Sequence, residues 1–390
     1  MDVSQFRSLG KSIQHEGVVE ASAGNRLAVF MMQLRSTSET FIRRHVEGLA
    51  PGQTVAVAQL AGLPERQSCP SFIVERWQLR LPVRLAARAG ISRESLLTAS
   101  VKRFLRRHKV GVVLGEYMDQ FVDFVPMLDR MGLPYVVQAH GIDVSSSLRT
   151  PGMAERYQLY RSARAVLTRS DFHRRRLIQI GLPADIIHLN PGGVDVAPDL
   201  PERTPESAYR FLAIGRMVPQ KAPIILLEAF RSAVLQNPNL TLDYVGSGPL
   251  FAAASQFVRA CGLGGRVRLH GTAPEKVKQR LLRECGVFIQ HSAVDPETGD
   301  EESLPASIQE AMAHGLAVVS TRHAGIPEAV RDGETGLLVE EGDAKAMAAA
   351  FLEIPARAAA LGSAGYSVAA ENYSWEDEKQ RLQEWLGLNS

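Results

Sequence analysis

The sequence predicts an α/β protein made of two Rossmann-like, doubly wound parallel-sheet domains that face each other across a cleft. Short apolar runs alternate with amphipathic segments along almost all of the 390 residues. Most of these runs are continuously apolar, as expected for strands buried on both faces of a parallel sheet. A segment with three prolines, residues 196–207, separates about six runs on each side. Each half therefore contains enough strands for one doubly wound sheet.

The apolar runs define twelve predicted strands. In the first half these are residues 27–32, 54–60, 110–114, 135–138, 165–168 and 186–189. In the second half they are residues 210–214, 241–245, 266–269, 287–290, 317–320 and 336–339. We predict an N-terminal domain over 1–195, a C-terminal domain over 196–372, and a terminal helix over 373–390 that packs back on the first domain. Ser374 is the predicted cap of that helix.

Composition places the chain among ordinary globular proteins. Hydrophobic residues make up 45% of the sequence and charged residues 22%, and the net charge of +2 does not indicate a nucleic-acid partner. The three cysteines show no metal-binding spacing and no disulfide framework, which predicts a reducing compartment. Residues 1–24 show no signal-peptide pattern, and no apolar run approaches the ~20 residues needed to span a bilayer. We therefore expect a cytoplasmic protein.

The most informative stretch is residues 302–315, ESLPASIQEAMAHG. Ser303 is a predicted N-cap, and Pro305 fits the first turn of a helix that ends before Gly315. The start of a helix is a natural anion site because its first amides have no intrahelical partner. We expect the tip formed by Ser303, Leu304 and Pro305 to bind an anion.

Two carboxylates flank this helix tip. Glu302 stands beside the expected anion, and Glu310 lies about two turns further on. Carboxylates accept hydrogen bonds from hydroxyl groups. An anion between two such groups describes a sugar nucleotide, with the diphosphate in the middle, the sugar on one side and the ribose on the other. The alternative is structural, because the helix dipole favours glutamate near an N-terminus.

Turns with cations and glycines follow the first strands of the second half. Arg216 can make a forked contact to phosphate and Lys221 can act as a point charge, although both also suit a solvated loop. Gly246, Gly248 and Gly271 follow the next two strands. Glycine lets the backbone turn tightly there and allows a flat nucleobase to approach.

The first half contributes two candidate segments to the cleft. His140 follows a buried run and is interpreted either as a contact to the transferred sugar or acceptor hydroxyl, or as a hydrogen-bonded structural histidine. Arg35, Ser38 and Glu39 follow the first strand, where Thr37 or Ser38 would cap a helix that begins near Glu39. These three are acceptor-side candidates, and Glu39 fits a helix-dipole role better than a catalytic one.

A basic stretch runs from Arg76 to Lys109, with ten Lys or Arg residues against one acidic residue, Glu94. Such a stretch suits peripheral contact with an anionic membrane surface or a phosphate-bearing acceptor. The alternative is a solvated charged face. Pro82 argues against one unbroken helix.

Together these motifs resemble the retaining glycosyltransferases of family 4, which have the two-domain GT-B fold. The resemblance covers nearly the whole chain and is strongest from about residue 210 to 340. It is carried by six segments: Glu302 to Glu310 with their spacing, Val318-Val-Ser-Thr321, Gly325-Ile-Pro-Glu328, Gly215-Arg216 with Lys221, Asn190-Pro-Gly-Gly-Val-Asp195, and Gln138-Ala-His140-Gly-Ile-Asp143.

The resemblance implies roles for the candidate residues. Arg216 and Lys221 would hold the diphosphate of a UDP- or GDP-linked donor, Glu302 would contact the donor sugar, and Glu310 the ribose. His140 would lie near the reaction centre. The N-terminal domain would bind a sugar, glycan or glycolipid acceptor, and a hexosyl unit would be transferred to its hydroxyl with retention of configuration.

The resemblance also implies that no metal or other cofactor is needed, because protein cations and helix amides neutralise the leaving diphosphate. The segments Ser38-Glu39-Thr40-Phe41 and Gly299-Asp300-Glu301-Glu302 are similar to those of bacterial exopolysaccharide-type enzymes. Glycan, polysaccharide or glycolipid synthesis is the expected setting.

Two further interpretations are compatible with the same motifs. A sugar-nucleotide epimerase on a similar two-domain architecture would use the same linker, cleft and glutamate pair. A non-catalytic nucleotide-sugar binding protein is the third hypothesis, because residues 35–38 replace a loop that is glycine-rich in many family members. A dehydrogenase is disfavoured because no Gly-x-Gly-x-x-Gly follows the first strand.

Overall fold

A computed structural model describes residues 26–34, 40–61, 69–78, 92–200 and 202–388 of the chain. Within these residues the chain forms two parallel β-sheets, one in each half. Helices cover both faces of each sheet. The predicted architecture of two Rossmann-like domains is therefore confirmed.

The first sheet has seven described strands, in the order β3-β2-β1-β4-β5-β6-β7, and all of them are parallel. The strands are β1 (Arg26–Gln33), β2 (Thr54–Leu60), β3 (Ser71–Ile73), β4 (Val110–Glu116), β5 (Tyr135–Gln138), β6 (Ala165–Thr168) and β7 (Ile187–Leu189). The prediction of six strands was wrong by one. Strand β3 has only three residues, too few for a recognisable apolar run, and it forms by pairing with β2.

The second sheet has six described strands, in the order β10-β9-β8-β11-β12-β13, again all parallel. The strands are β8 (Arg210–Ile214), β9 (Thr241–Val245), β10 (Val267–Gly271), β11 (Val287–Ile289), β12 (Ala317–Thr321) and β13 (Gly336–Val339). All six predicted strands are confirmed, and only their ends differ.

Fifteen α-helices are described between and beside these strands. They are α1 (Thr40–Gly48), α2 (Val74–Gln78), α3 (Arg93–Arg107), α4 (Met118–Phe121), α5 (Val125–Met131), α6 (Met153–Tyr157), α7 (Asp171–Gln179), α8 (Pro223–Val234), α9 (Phe251–Ala260), α10 (Glu275–Glu284), α11 (Ala306–Ala313), α12 (Ile326–Ala329), α13 (Ala344–Glu353), α14 (Ala358–Asn372) and α15 (Trp375–Leu386).

Each sheet is buried on both faces, which explains the continuously apolar strands. In β1, Leu27 and Val29 pack into one hydrophobic cluster while Ala28 and Phe30 pack into the cluster on the opposite face. In β8, Phe211 and Leu212 divide between two clusters in the same way. Successive side chains of a strand point to opposite faces, so a doubly covered strand needs apolar residues at every position.

Strand order reverses once in each sheet, and these reversals place the cleft. The chain winds outward from β1 through β2 to β3, then returns to the other side of β1 with β4. In the second sheet the same reversal lies between β8 and β11. Ligands of open parallel sheets bind at such switch points, beyond the carboxyl ends of the strands. Loops after β1, β4, β8 and β11 are therefore the expected site.

Helix α15 returns to the first sheet. Ser374 is its N-cap and accepts a hydrogen bond from the amide of Asp377, as predicted. Leu382 and Leu386 are fully buried in the same cluster as Leu27 and Val29 of β1. The end of the chain therefore completes the core of the N-terminal half. The exact domain boundaries remain predictions.

No helix among the described residues is both long and apolar enough to cross a membrane. The predicted basic stretch is described only in part, because residues 79–91 lie outside the described residues. Its later cations lie on α3, where Arg103, Arg106 and Arg107 are partly or fully exposed. Membrane contact through this stretch stays a prediction.

We predict that Leu382→Ala lowers the free energy of unfolding by about 2–5 kcal/mol, because it leaves a cavity between α15 and the first sheet. Chemical denaturation of the whole chain measures this change. Glu384→Ala, an exposed position on the same helix, serves as the control and should change stability by less than about 0.5 kcal/mol. Equal effects of the two changes would contradict the packing of α15.

Candidate active site

The loop after β5 is held by a buried aspartate. The Oδ1 of Asp143 accepts hydrogen bonds from the backbone amides of His140 and Gly141, each at 2.9 Å. Its Oδ2 accepts another from the amide of Met118, at the start of α4, also at 2.9 Å. Three charge-assisted bonds to one carboxylate fix the backbone of the loop. The candidate histidine is thus anchored at the carboxyl edge of the first sheet.

The same loop touches the second domain. A Cβ built on Gly141 would lie 3.1 Å from the carbonyl oxygen of Glu301 and 3.4 Å from the amide nitrogen of Ser303. Gly141 also has a φ of 138°, which residues with a side chain rarely adopt. The backbone next to His140 therefore lies against the backbone on both sides of Glu302.

Polar contacts extend this seam between the domains. The Oε1 of Glu301 accepts a hydrogen bond from His173 at 3.2 Å and pairs with Arg176, both on α7. Burial by itself would raise the pKa of Glu301, but these two partners lower it. Glu328 accepts hydrogen bonds from the first amides of α7, at 2.7 and 3.0 Å. Carboxylates of the second half thus bind the first backbone amides and two side chains of a helix in the first half.

The predicted cap at Ser303 is wrong. Helix α11 begins at Ala306, and Pro305 occupies the cap position without a side-chain hydrogen bond. The hydroxyl of Ser303 is used elsewhere, because it lies 3.2 Å from the hydroxyl of Ser170 across the seam. Leu304 is buried, and its carbonyl accepts a hydrogen bond from Arg169 at 3.3 Å. Residues 303–305 therefore form an approach to the helix rather than its first turn.

The start of α11 remains accessible to solvent. Ala306 is exposed and Glu302 is partly exposed on either side of the buried approach. The Nζ of Lys221 lies 2.9 Å from the Oε1 of Glu302, with only 11% and 19% of their side chains exposed. Arg216 is exposed, and its side chain forms no ion pair with another described residue. Lys221 is therefore already paired with Glu302, the carboxylate predicted to contact the sugar. The other predicted phosphate-binding cation, Arg216, faces solvent.

Glu310 has a partner that the sequence did not reveal. The Nζ of Lys278, on α10, lies 2.8 Å from its Oε1, and Gln279 is 3.5 Å away. Burial by itself would lower the pKa of Lys278, but attraction to Glu310 and Glu275 raises it. The lysine holds the Glu310 carboxylate in one orientation.

The predicted nucleobase glycines have a backbone role. Gly246 has a φ of 148°, and a Cβ at this position would overlap the carbonyl oxygen of Gly215. A Cβ on Gly248 would lie 2.6 Å from the carbonyl oxygen of Met217. Gly246 also donates a hydrogen bond to the carbonyl of Gly271 at 2.9 Å. These glycines pack the turn after β9 against the loop that carries Arg216. A role in nucleobase binding stays a prediction.

A chain of buried titratable groups begins at His140. Its Nε2 lies 2.6 Å from the Oε2 of Glu116, the last residue of β4. The Oε1 of Glu116 lies 2.6 Å from the Nδ1 of His45, on α1. The Nε2 of His45 in turn lies 3.4 Å from the Oε1 of Glu378, on α15. The last three side chains are fully buried, so the sheet edge is linked to the C-terminal helix without solvent contact.

His45 and Glu116 are charged despite burial. Burial by itself would lower the pKa of His45, but attraction and hydrogen bonding to Glu116 and Glu378 raise it to about 10. Burial would raise the pKa of Glu116, but His45 and His140 lower it to about 2. At neutral pH, His45 is therefore a cation between two carboxylates.

Several of these residues were missed at the sequence level, and for one a signal exists. Glu116 lies two residues beyond a continuously apolar run, at the strand end where cleft residues belong. His45, Lys278 and Glu378 lie on helices with no pattern that marks them. The acceptor-side candidates Arg35, Ser38 and Glu39 lie outside the described residues.

Comparison with known proteins gives matches across both halves. Residues 39–198 match the model described as Glycosyltransferase Family 4, and residues 208–356 match Glycosyl transferases group 1. The amylovoran biosynthesis glycosyltransferase AmsK of Erwinia amylovora is 30% identical over 223 residues, which cover 55% of this chain and 53% of AmsK. The chain spans about half the length of this and similar curated relatives.

Two further similarities cover more of the chain. The GDP-mannose-dependent alpha-(1-6)-phosphatidylinositol monomannoside mannosyltransferase of Mycolicibacterium smegmatis is 27% identical over 75% of this chain and 80% of its own. The crystal structure of Anabaena HepE in complex with UDP-glucose superposes with a TM-score of 0.72 at 18% identity, over 93% of this chain and 99% of HepE. This likeness shows the fold.

Fold and cleft together define a protein of the GT-B class, with two Rossmann-like domains that face each other. With family matches in both domains, the chain belongs to the family 4 glycosyltransferases.

We predict that Gly246→Ala destabilises the chain by about 1–3 kcal/mol, since a methyl group meets the Gly215 carbonyl at a strained φ. Thermal or urea unfolding measures the change. Gly264→Ala is the matched control, because a Cβ there meets no atom within 4 Å. A Gly246→Ala variant as stable as the control would contradict the close approach of the two turns.

We predict that the buried ion pair makes stability depend on pH. The pKa of His45 is raised from 6.5 to about 10 on folding, so its contribution is full below pH 6.5 and is lost as pH rises to 10. Glu116 contributes above pH 4.5 and loses its contribution as pH falls towards 2. Urea unfolding between pH 6.5 and 10 should show a steeper loss for the wild type than for His45→Gln. Parallel curves would contradict a charged His45.

Proposed function

We propose that the protein transfers a sugar from a nucleotide-diphosphate sugar to an acceptor hydroxyl with retention of configuration. The observation that carries the proposal is the arrangement at the seam between the domains. Glu302 precedes α11 and pairs with Lys221, while Glu310 lies on α11 and pairs with Lys278. An anion with hydroxyl-bearing groups on both ends fits this arrangement.

The phosphate site in this proposal uses cations and backbone amides. The first amides of α11 lack intrahelical partners, and Arg216 is free to turn towards a phosphate. Lys221 is held by Glu302, so an arriving diphosphate competes for its ammonium group and releases the carboxylate towards the sugar hydroxyls. Cations fixed near a leaving diphosphate stabilise the negative charge that develops as the sugar departs.

The ribose site in this proposal is Glu310. Lys278 neutralises one of its oxygens and leaves the carboxylate able to accept from ribose hydroxyls. The relatives suggest the nucleotide: HepE binds UDP-glucose, and the mycobacterial enzyme is named for GDP-mannose. We propose UDP or GDP as the carrier and a glycan or glycolipid acceptor in the cytoplasm.

Metal-independent transfer is part of the proposal. Among the described residues no three His, Cys, Asp or Glu side chains are grouped so as to hold a metal ion. Arg216, Lys221 and the helix amides would supply the positive charge that a divalent cation provides in other transferases. Addition of EDTA should therefore leave turnover unchanged.

We predict that Glu310→Gln, Lys221→Ala and Arg216→Ala each weaken binding of the productive nucleotide by about 1.5–3 kcal/mol, because each change removes one hydrogen bond to a charged group. Calorimetric titration with UDP and GDP measures the change, and turnover of UDP-glucose or GDP-mannose is followed in parallel. Arg259→Ala and Lys345→Ala, both exposed outside the cleft, are the matched controls.

Three outcomes would separate the hypotheses. Unchanged affinity and turnover in all three variants would refute the site. Conversion of one sugar nucleotide into another when no acceptor is present, with no hydrolysis, would instead indicate an epimerase. Tight nucleotide binding with neither hydrolysis nor transfer across an acceptor panel would indicate a binding protein.

A further inference from the structure

The buried chain from His140 to Glu378 is not explained by binding of a nucleotide sugar. It runs from the cleft through Glu116 and His45 to the C-terminal helix, and it joins a loop, a strand and two helices. Replacing such a buried ionic chain by apolar side chains usually costs little stability and can increase it. Its position, with one end open to the cleft, suggests that it acts on His140.

The cleft end of the chain leaves one nitrogen available. Glu116 is ionised and can only accept, so the Nε2 of His140 donates the 2.6 Å hydrogen bond and carries the proton. Among the described residues, Nδ1 of His140 has no hydrogen-bond partner. The ring is packed by Phe41 at 4.8 Å and Tyr117 at 4.5 Å between centroids. A rigid imidazole therefore presents an acceptor nitrogen.

Glu378, at the far end of this series of buried side chains, lies on the C-terminal helix. The Oε1 of Glu378 is 3.4 Å from His45 and also accepts a hydrogen bond from Asn190 at 3.4 Å. Burial by itself would raise the pKa of Glu378, but His45, Arg169 and Arg381 lower it. Two carboxylates with His45 between them hold the imidazole of His45 as a cation. Loss of Glu378 would loosen His45 and then Glu116.

We propose that Glu116, His45 and Glu378 form a positioning relay that keeps His140 in its Nε2–H tautomer, with Nδ1 turned to the cleft as an acceptor for a sugar hydroxyl. The relay makes this orientation depend on the docking of α15 against the first sheet. The hydroxyl contact rests on the proposed function, whereas the tautomer and its dependence on α15 do not.

A first experiment reads the tautomer without any substrate. In spectra of the ¹⁵N-histidine-labelled chain, the His140 signals are assigned by their loss in His140→Asn. We expect the neutral ring of the wild type to carry its proton on Nε2, with Nδ1 unprotonated. Glu116→Gln should produce a mixture of tautomers, and Glu378→Gln a smaller change in the same direction. Asp243→Asn is the control, since Asp243 contacts His270 at the same 2.6 Å but is not part of the relay.

A second experiment reads turnover of UDP-glucose or GDP-mannose, whichever the wild type uses. We expect Glu116→Gln to lower kcat by at least about tenfold, with KM for the donor nearly unchanged, because a misplaced histidine mainly affects the transition state. In the His140→Asn background the same change should have almost no further effect. Such non-additivity indicates action through His140.

The outcomes separate this inference from the proposed function. Wild-type His140 tautomer signals in both Glu116→Gln and Glu378→Gln would overturn the relay, even if the enzyme transfers sugar. Additive losses in the double variant would also overturn it, as they would show a general structural effect. Absence of turnover in the wild type would count against the proposed function alone, because the tautomer experiment still tests the relay. If Glu116→Gln does not fold, Glu378→Gln supplies both readouts.

Discussion

The cleft depends on the close approach of two backbones, the loop at Gly141 and the segment on either side of Glu302. A side chain at Gly141 would press on the Glu301 carbonyl, so the domains could not meet at this distance. Two sets of hydrogen bonds stabilise this contact. Asp143 fixes the loop at Gly141, and Glu301 and Glu328 of the second domain bind α7 of the first. Because of this contact, the loop that carries His140 lies against the segment that leads from Glu301 to α11.

The seam also explains how so many charges are buried. An isolated charge in a protein interior is costly, and the structure offsets this for several buried carboxylates by placing cations or histidines beside them. Glu301 lies between His173 and Arg176, and Glu116 between two histidines. The two pairs nearer to solvent, Lys221–Glu302 and Lys278–Glu310, are only partly exposed. In each of these two pairs the lysine holds its carboxylate in a defined position.

Comparison of sequence and structure shows which kinds of inference succeed. Twelve strands were predictable because doubly covered strands are apolar at every position, whereas β3 was missed because three residues make no pattern. Gly325 and Glu328 lie in a segment that carries the family resemblance, but their contacts to Ser303 and α7 are visible only in the structure. The prediction of a helix cap at Ser303 was wrong for a specific reason. The side chain of Ser303 contacts the hydroxyl of Ser170, from the other domain, and not the amides of α11.

The sequence by itself determined the two sheets, the strand ends at which cleft residues lie, and the cations and carboxylates that belong to the second half. These follow from local periodicity and from residues close together in the chain. Only the tertiary structure decided the partners of those residues, such as Lys278 for Glu310 and Glu116 for His140. The physical reason is that a side chain's protonation and orientation are set by whichever charges folding brings within hydrogen-bond distance, and residues 333 positions apart, such as His45 and Glu378, leave no local trace of that encounter.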